Sequence, residues 1–377
     1  MRSAAPFNAP VWGSDPWQAL PPLAGDTSAD LCVIGLGGSG LAAVNEGLRR
    51  GLDVIGLDAG TVAGGAAGRN GGFLLAGLAA FHHEARAAVG GERAAELYRE
   101  TLAELARMRA ASPSLIRRTG SLRIADDAAE LEDCREQYQA MKADDLPVER
   151  YSGPEGGGLM FPLDCVFEPL DRCRLLAGEV LAAGARLHEG TPVTDFTAKS
   201  VTTALGTVSC EALVVAVDGG LERLVPELVG RTRTARLQML ATAPLPRRLF
   251  AMPVYRRHGF EYYQQLPDRR LAFGGFRDRG GAGEWTSAAV PAEPVQSLLE
   301  RYLRDDLRIE APITHRWAAS VGFSSGVLPV IEVVRNGAVA IGGYSGTGNV
   351  IGSLAGRAAV ATSLGERTYL AELLGAG

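Results

Sequence analysis

The spacing of apolar residues changes period repeatedly along this chain. Leu31–Ile34 and Asp53–Leu57 are short apolar runs of strand length, and Leu41, Ala42, Val44 and Leu48 recur between them at helical spacing and stop near Gly51. Phe81–Ala111, Ala128–Lys142 and Asp171–Ala183 carry helical patterns with charged faces, and Leu115–Asp126 reads as strands around Gly120. Val193–Phe196, Ser200–Thr203 and Thr207–Glu211 predict a small meander that leads into the fully apolar strand Ala212–Val217. Thr232–Ala243, Phe260–Gln265 and Arg270–Phe276 predict a broad antiparallel sheet. A helix over Val295–Asp306 and a strand over Ile313–Val321 follow. The pattern closes on a strand at Ala338–Ile341, a glycine-rich turn and a helix over Val350–Leu364.

Strand–glycine–helix units at both ends of the chain imply one domain built from distant segments, with the middle inserted into it. The predicted fold class is α/β: a discontinuous Rossmann-like domain over 1–80, 151–225 and 326–377. The inserted α+β domain, over 81–150 and 226–325, is built on a mainly antiparallel sheet. Residues 1–29, rich in proline and carrying Trp12 and Trp17, read as an extended arm on the surface.

Composition narrows the function classes. The 377 residues are 46% hydrophobic and 21% charged with a net charge of −5, a globular profile without the basic footprint of a nucleic-acid partner. Five scattered cysteines lack any C-x-x-C spacing, so neither a disulfide framework nor a metal site is indicated. No apolar run reaches the ~18 residues of a membrane-spanning helix and no signal-peptide pattern opens the chain, so the expectation is a cytoplasmic protein without a membrane partner.

The first unit carries the clearest chemistry. Gly35, Gly37 and Gly40 form G-x-G-x-x-G, with Gly38 and Ser39 between them. The first glycine permits a tight turn, the second lets backbone approach a pyrophosphate, and the third lets helix and strand close up. The helix N-terminus presents unpaired N–H groups to phosphate oxygens. Asp58, followed by Ala59, lies at the end of the second strand, near the ~20-residue offset of an acid that binds ribose hydroxyls. Thr61–Gly72 is too rich in glycine and alanine to fill a core and suits backbone lying against a flat ligand, with Arg69 and Asn70 as its polar heads. Asp218, at a strand end, reads equally as a ligand-facing acid or as the cap of a helix starting near Leu221. Tyr262, Tyr263 and Gln264 alternate faces, one of them available to line a pocket. His82 and His83 read as structural.

Together the Gly35–Gly40 turn with Asp58, AAGRNGG at Ala66–Gly72, ALVVAVDGG at Ala212–Gly220 and GGYSGTGN at Gly342–Asn349 resemble the D-amino-acid-oxidase-type (DAO) family of FAD-dependent oxidoreductases. The resemblance spans nearly the whole chain and is strongest toward the γ-glutamylputrescine oxidase branch. It implies non-covalent FAD. Gly35, Gly37, Gly38, Ser39 and Gly40 would hold the pyrophosphate, and Asp58 the adenosine ribose. Arg69, Asn70 and Gly71 would lie along the flavin, and Val193 would touch the adenine by its backbone. Ala59, Gly68, Gly72, Ala216, Asp218, Tyr344, Gly346, Thr347, Gly348 and Asn349 complete the expected cofactor set. This chain has Thr347 where many relatives have histidine, and Asn349 where an aliphatic residue is usual.

The arginine that clamps a carboxylate in glycine and D-amino-acid oxidases is replaced by the stretch Ser320-Val321-Gly322. The expected substrate is therefore a small-molecule amine or N-substituted amino compound. Its carbon next to nitrogen would give a hydride to flavin N5, and the imine would then hydrolyse. Tyr263, Gln264 and Arg316 are the expected pocket residues. Oxygen or another acceptor would take the electrons. No metal is expected, and the sequence does not bear on oligomeric state. The alternatives are a glycine or D-amino-acid oxidase-type enzyme and a flavin-binding protein with little turnover.

Overall fold

A computed structural model describes residues 7–13, 16–335 and 337–376. The chain divides into two compact units. The first comprises Met1–Trp12, Arg69–Glu168 and Ala235–Ser320; the second comprises Gly13–Gly68, Pro169–Thr234 and Val321–Gly377.

The second unit is built on a sheet whose central strands, Arg186–His188, Val54–Leu57, Thr27–Ile34, Gly206–Val215 and Ala338–Gly342, run parallel in that order. Val330–Val334 adds an antiparallel edge, and the N-terminal half of Gly206–Val215 extends into the antiparallel meander of Val193–Phe196 and Ser200–Thr203. Thr27–Ile34 is buried on both faces at its end, as a parallel strand covered from both sides must be. Cys32 and Ile34 enter a cluster with Ile55, Leu213 and Ala340. On the other face Leu31 meets the helix Gly38–Arg49, where a Cβ on Gly47 would stand 2.6 Å from it. The helix Gly348–Ser363 lies against that first helix so closely that a Cβ on Gly356 would be 2.2 Å from the Ser39 carbonyl oxygen. Small residues on both helices make this approach possible.

The first unit is built on an eight-stranded, mainly antiparallel sheet. Its order is Ile313–Ser324, Thr232–Thr242, Leu271–Gly275, Glu261–Gln265, Val254–Arg256, Ser121–Ile124, Gly156–Phe161 and Glu149–Gly153. Val254–Arg256 and Ser121–Ile124 pair in parallel. The helix Glu293–Asp305 covers one face, burying Val295, Leu299 and Leu303 against Leu240, Tyr263 and Phe273. A three-stranded sheet joins Phe73–Leu74, Cys165–Phe167 and Ile116–Arg118.

Two features differ from the sequence reading. The single helix expected over Phe81–Ala111 is two helices, His82–Val89 and Gly91–Ala111, because Gly90 sits at φ +91°, a conformation that ends a helix. The segment boundaries also differ from those expected at 80, 151, 225 and 326. The second unit is left at Gly68, rejoined at Pro169, left at Thr234 and rejoined at Val321. The reason is pairing. Arg69 is already bonded to Ala318; Gly156–Phe161 pairs with Ser121–Ile124, and Glu149–Gly153 pairs with Gly156–Phe161.

Candidate functional site

In the second unit the glycine motif forms a turn at the end of the first strand. Gly35 has φ +98°, and a Cβ there would meet the Ala216 carbonyl oxygen at 2.6 Å; one on Gly40 would meet the Gly35 oxygen at 1.8 Å. No side chain with a Cβ fits either position. Gly37 stands at the N-cap of Gly38–Arg49 without any side-chain cap, the first turn holds no acid, and the space beyond Gly38 is open. That leaves backbone N–H groups and the positive end of a 12-residue helix facing open space, a cradle suited to an anion.

Asp58 closes this turn from the neighbouring strand. Its two oxygens accept the N–H groups of Leu36 and Gly60, both at 2.8 Å. Burial raises its pKa against these two bonds, and Glu189 adds to the rise. The backbone of Gly190 and Thr191 bonds to the carbonyls of Gly60 and Asp58, which brings Val193, half-buried at the start of its strand, into the same neighbourhood as Ala59. Glu189 is a buried acid that sequence reasoning missed. It accepts from Trp17 Nε1 at 2.9 Å and from the N–H groups of Leu20 and Val62, tying the arm to the glycine loop of its own unit. A lone glutamate near a glycine gave no signal in the sequence.

The second glycine turn leads into Gly348–Ser363. Gly343, Ser345 and Gly346 all have positive φ, and Thr347 at the N-cap sends its hydroxyl back to the Tyr344 carbonyl, 3.0 Å away, instead of capping the helix. Gly348 lies against the Tyr344 ring, whose hydroxyl is buried near Ser39 without a hydrogen bond of ordinary geometry. Asn349 is the second residue of that helix.

Of the two expectations for Asp218, the structure bears on the cap. Asp218 does not cap the short helix Leu221–Leu224, whose N-cap is Gly220. Its carboxylate accepts the N–H groups of Gly322 at 3.0 Å and Gly343 at 2.9 Å, pinning the glycine turn to the strand end. Burial raises it to about 6, opposed by those N–H donors. Ala216, just before it, donates to Ile34 at 2.7 Å and flanks Gly35.

In the first unit the glycine loop is held from several directions. Arg69 does not project from it: its guanidinium donates to the Ala318 carbonyl at 2.8 Å and to Asn8 Oδ1 at 2.6 Å, and burial lowers its pKa. Trp317 Nε1 donates to the Arg69 carbonyl and Trp12 Nε1 to that of Asn70, each at 2.8 Å. Asn70 Oδ1 accepts the Gly72 N–H at 2.9 Å. Gly72 is caged, with Gln264 Nε2 only 2.5 Å from where a Cβ would stand. Gly68, at the end of the other unit's segment, is equally confined by the Ala63 carbonyl.

The three expected pocket residues fall in different places. Tyr263 is a core residue, 2% exposed, with its ring 4.8 Å from Phe250 and 6.1 Å from Phe273. Arg316 is spent on the helix Glu293–Asp305, pairing with Glu300 and donating to Gln296 at 2.9 Å. Gln264 is at the loop: its Nε2 donates to the carbonyls of Gly71 at 2.6 Å and Gly72 at 3.1 Å. Tyr262, two residues before Gln264, shares its face of the strand. The Tyr262 ring is 3.2 Å from a Cβ on Gly71 and 2.5 Å from one on Gly274, its partner in register. Burial raises its pKa, and the charge of nearby Arg277 lowers it. The missed signal was Gly274, which makes room for the tyrosine opposite. Among the described residues no group of acids, histidines and cysteines fits a metal ion, and no helix is long and apolar enough to cross a membrane.

Comparisons with known proteins give the family and the fold. The family described as FAD dependent oxidoreductase (DAO) matches residues 30–362. A probable oxidoreductase OrdL of Rhizobium meliloti (strain 1021) is 27% identical over 391 residues, covering 93% of this chain and 86% of that protein. The gamma-glutamylputrescine oxidoreductase of Escherichia coli (strain K12) is 25% identical over 369 residues, covering 88% and 82%. Among solved structures, glycine oxidase from Geobacillus kaustophilus superposes with a TM-score of 0.75 at 19% identity, covering 91% of this chain and 96% of that one, a likeness of fold.

Proposed function

The chain belongs to the DAO family of FAD-dependent oxidoreductases, enzymes acting on amines or amino acids, and from that premise we propose that it oxidises the C–N bond of an amine or N-substituted amino compound. The reading is carried by the family match over residues 30–362 together with two uncapped helix N-termini on glycine turns in one unit. Bound FAD supplies a two-electron acceptor for the hydride of the carbon next to nitrogen. The chain's own residues bind and orient. The N–H groups around Gly37–Gly40 hold the pyrophosphate, Asp58 has lone pairs left for a ribose hydroxyl, and Asp218 keeps the Gly343–Gly348 turn in place. Tyr262 replaces Tyr263 as the residue on the substrate side, and Gln264 positions Gly71 and Gly72. The reaction needs a neutral amine and no side-chain base, and the imine released hydrolyses in water. We read the cofactor as non-covalent, because no cysteine follows Cys210 and no histidine stands within 63–72. Five scattered cysteines without C-x-x-C spacing fit a reducing, cytoplasmic location.

Arg316, tied to Glu300, leaves the α-amino carboxylate of a simple amino acid without that clamp. The second reading is an amino-acid substrate; the cation whose charge reaches the Tyr262 phenol is Arg277, its guanidinium stacked over the Phe260 and Trp285 rings. The visible spectrum of the purified protein, followed by anaerobic addition of γ-glutamylputrescine, sarcosine, glycine and D-alanine, separates the two. Flavin bands that bleach with the N-substituted amines support the first reading. Bleaching by glycine or D-alanine alone transfers it to the second. A colourless protein that FAD cannot reconstitute refutes both. Readmitted air then reads the acceptor from how fast colour returns.

A further inference from the structure

Tyr344 stands where the two glycine turns of the second unit meet, and its side chain is committed to one direction. Its ring lies along the first turn of Gly348–Ser363. A Cβ on Gly348 would come within 2.9 Å of the ring, and one on Gly352, a turn further on, within 3.5 Å of its phenol end. Glycine at both positions makes the slot that the ring fills. The Tyr344 N–H donates to the Asp218 carboxylate, which also accepts from Gly343. With main chain and ring both held, the phenol cannot swing toward another partner.

The far end of the ring reaches the other turn. The same Cβ on Gly352 would be 3.4 Å from the Ser39 side chain, so the Tyr344 phenol and the first turn of Gly38–Arg49 meet at Gly352. Tyr344 is 6% exposed, and its buried hydroxyl has no hydrogen-bond partner of ordinary geometry among the described residues. Phenylalanine would fill the slot equally well without burying a hydroxyl that lacks an acceptor, which is unfavourable. The missing acceptor has to come from outside the chain. Ser39 belongs to the turn whose N–H groups, uncapped by any side chain, face open space at Gly38. An anion held by those groups brings oxygen lone pairs to the side of the Tyr344 hydroxyl.

We propose that the Tyr344 hydroxyl donates a hydrogen bond to a pyrophosphate oxygen of FAD. The assignment rests on the function proposed above. It adds a side-chain ligand from the second glycine turn to a cradle otherwise made of backbone, so that the cofactor itself ties one turn to the other.

The test is Tyr344→Phe, which removes one oxygen that is bonded to nothing else in the chain. Fluorescence titration of the apoprotein with FAD is expected to show binding weakened about tenfold, the loss of one charge-assisted bond. Urea unfolding of the two apoproteins is expected to put the variant's midpoint at or above that of wild type, because the oxygen has no partner until FAD arrives. Phosphorus NMR of the FAD-loaded proteins is expected to show a pyrophosphate line displaced in the variant. A variant that loses stability along with affinity assigns Tyr344 to the fold alone and overturns the proposal. Equal FAD affinity with unmoved phosphorus lines also overturns it, and leaves ordered water as the hydroxyl's partner. A wild-type protein that takes up no FAD is a separate failure, because it removes the function proposed above as well.

Discussion

Replacing Asp164 by asparagine removes a carboxyl that is 2% exposed and accepts the Ser121 hydroxyl at 2.6 Å and the Ala76 N–H at 3.0 Å. Burial raises this carboxyl to about 7, more than its two donors and the charge of Arg123 lower it. An unfolded aspartate titrates near 3.9, so the gap of roughly three units corresponds to about 4 kcal/mol over the whole titration, at about 1.4 kcal/mol per unit. Since the folded value is the higher, the contribution to stability is fully present below about pH 4 and is lost as pH rises through about 7. Roughly 2–3 kcal/mol of that loss falls between pH 5 and pH 8. Asparagine does not titrate. Its amide oxygen keeps the Ala76 N–H, its NH₂ donates to the Ser121 oxygen, and the cost of that exchange is the same at every pH. The Asp164→Asn protein is therefore expected to gain about 2–3 kcal/mol on wild type between pH 5 and pH 8, whatever its offset at pH 5. Urea unfolding of both proteins at pH 5, 6, 7 and 8, followed by circular dichroism, measures the difference. Stabilities that run parallel to within about 0.5 kcal/mol across that range refute the raised carboxyl.

Three further outcomes follow from the sites. Gly40→Ala puts a Cβ 1.8 Å from the Gly35 oxygen, so the purified variant is expected to carry less than about a tenth of the wild-type flavin absorbance. Gln264→Ala leaves the Gly71 and Gly72 carbonyls without their donor and is expected to lower stability by about 1–3 kcal/mol in urea unfolding and to weaken FAD in titration of the apoprotein. Tyr262→Phe is expected to raise KM for the amine several-fold with stability held, whereas Tyr263→Phe, in the core, changes stability by about 1 kcal/mol and leaves steady-state kinetics alone; the opposite pattern would return Tyr263 to the site.

What the residues determine by themselves is what neighbours in sequence can settle. Gly35, Gly37 and Gly40 lie within one turn, and the strand, turn and helix they require are contiguous, so the strand–glycine–helix unit is legible before any fold is known. The meander and the covering helix Glu293–Asp305 follow from local periodicity in the same way. Tertiary structure decided whatever depends on a distant partner. The alternation Tyr262-Tyr263-Gln264 specifies opposite faces but not which is core; Gly274 across the sheet and Phe273 beside it choose. Asp218 reads as a cap in the sequence, yet Gly220 takes the N-cap, and Gly322 and Gly343, more than a hundred residues on, bring their N–H groups to its carboxylate. Arg69 looks like a free polar head until Asn8 and Ala318 take its guanidinium, and Arg316 like a pocket arginine until Glu300 claims it. Backbone geometry is a local property and can be read from glycine spacing, whereas a charged side chain goes where folding happens to leave its counterpart.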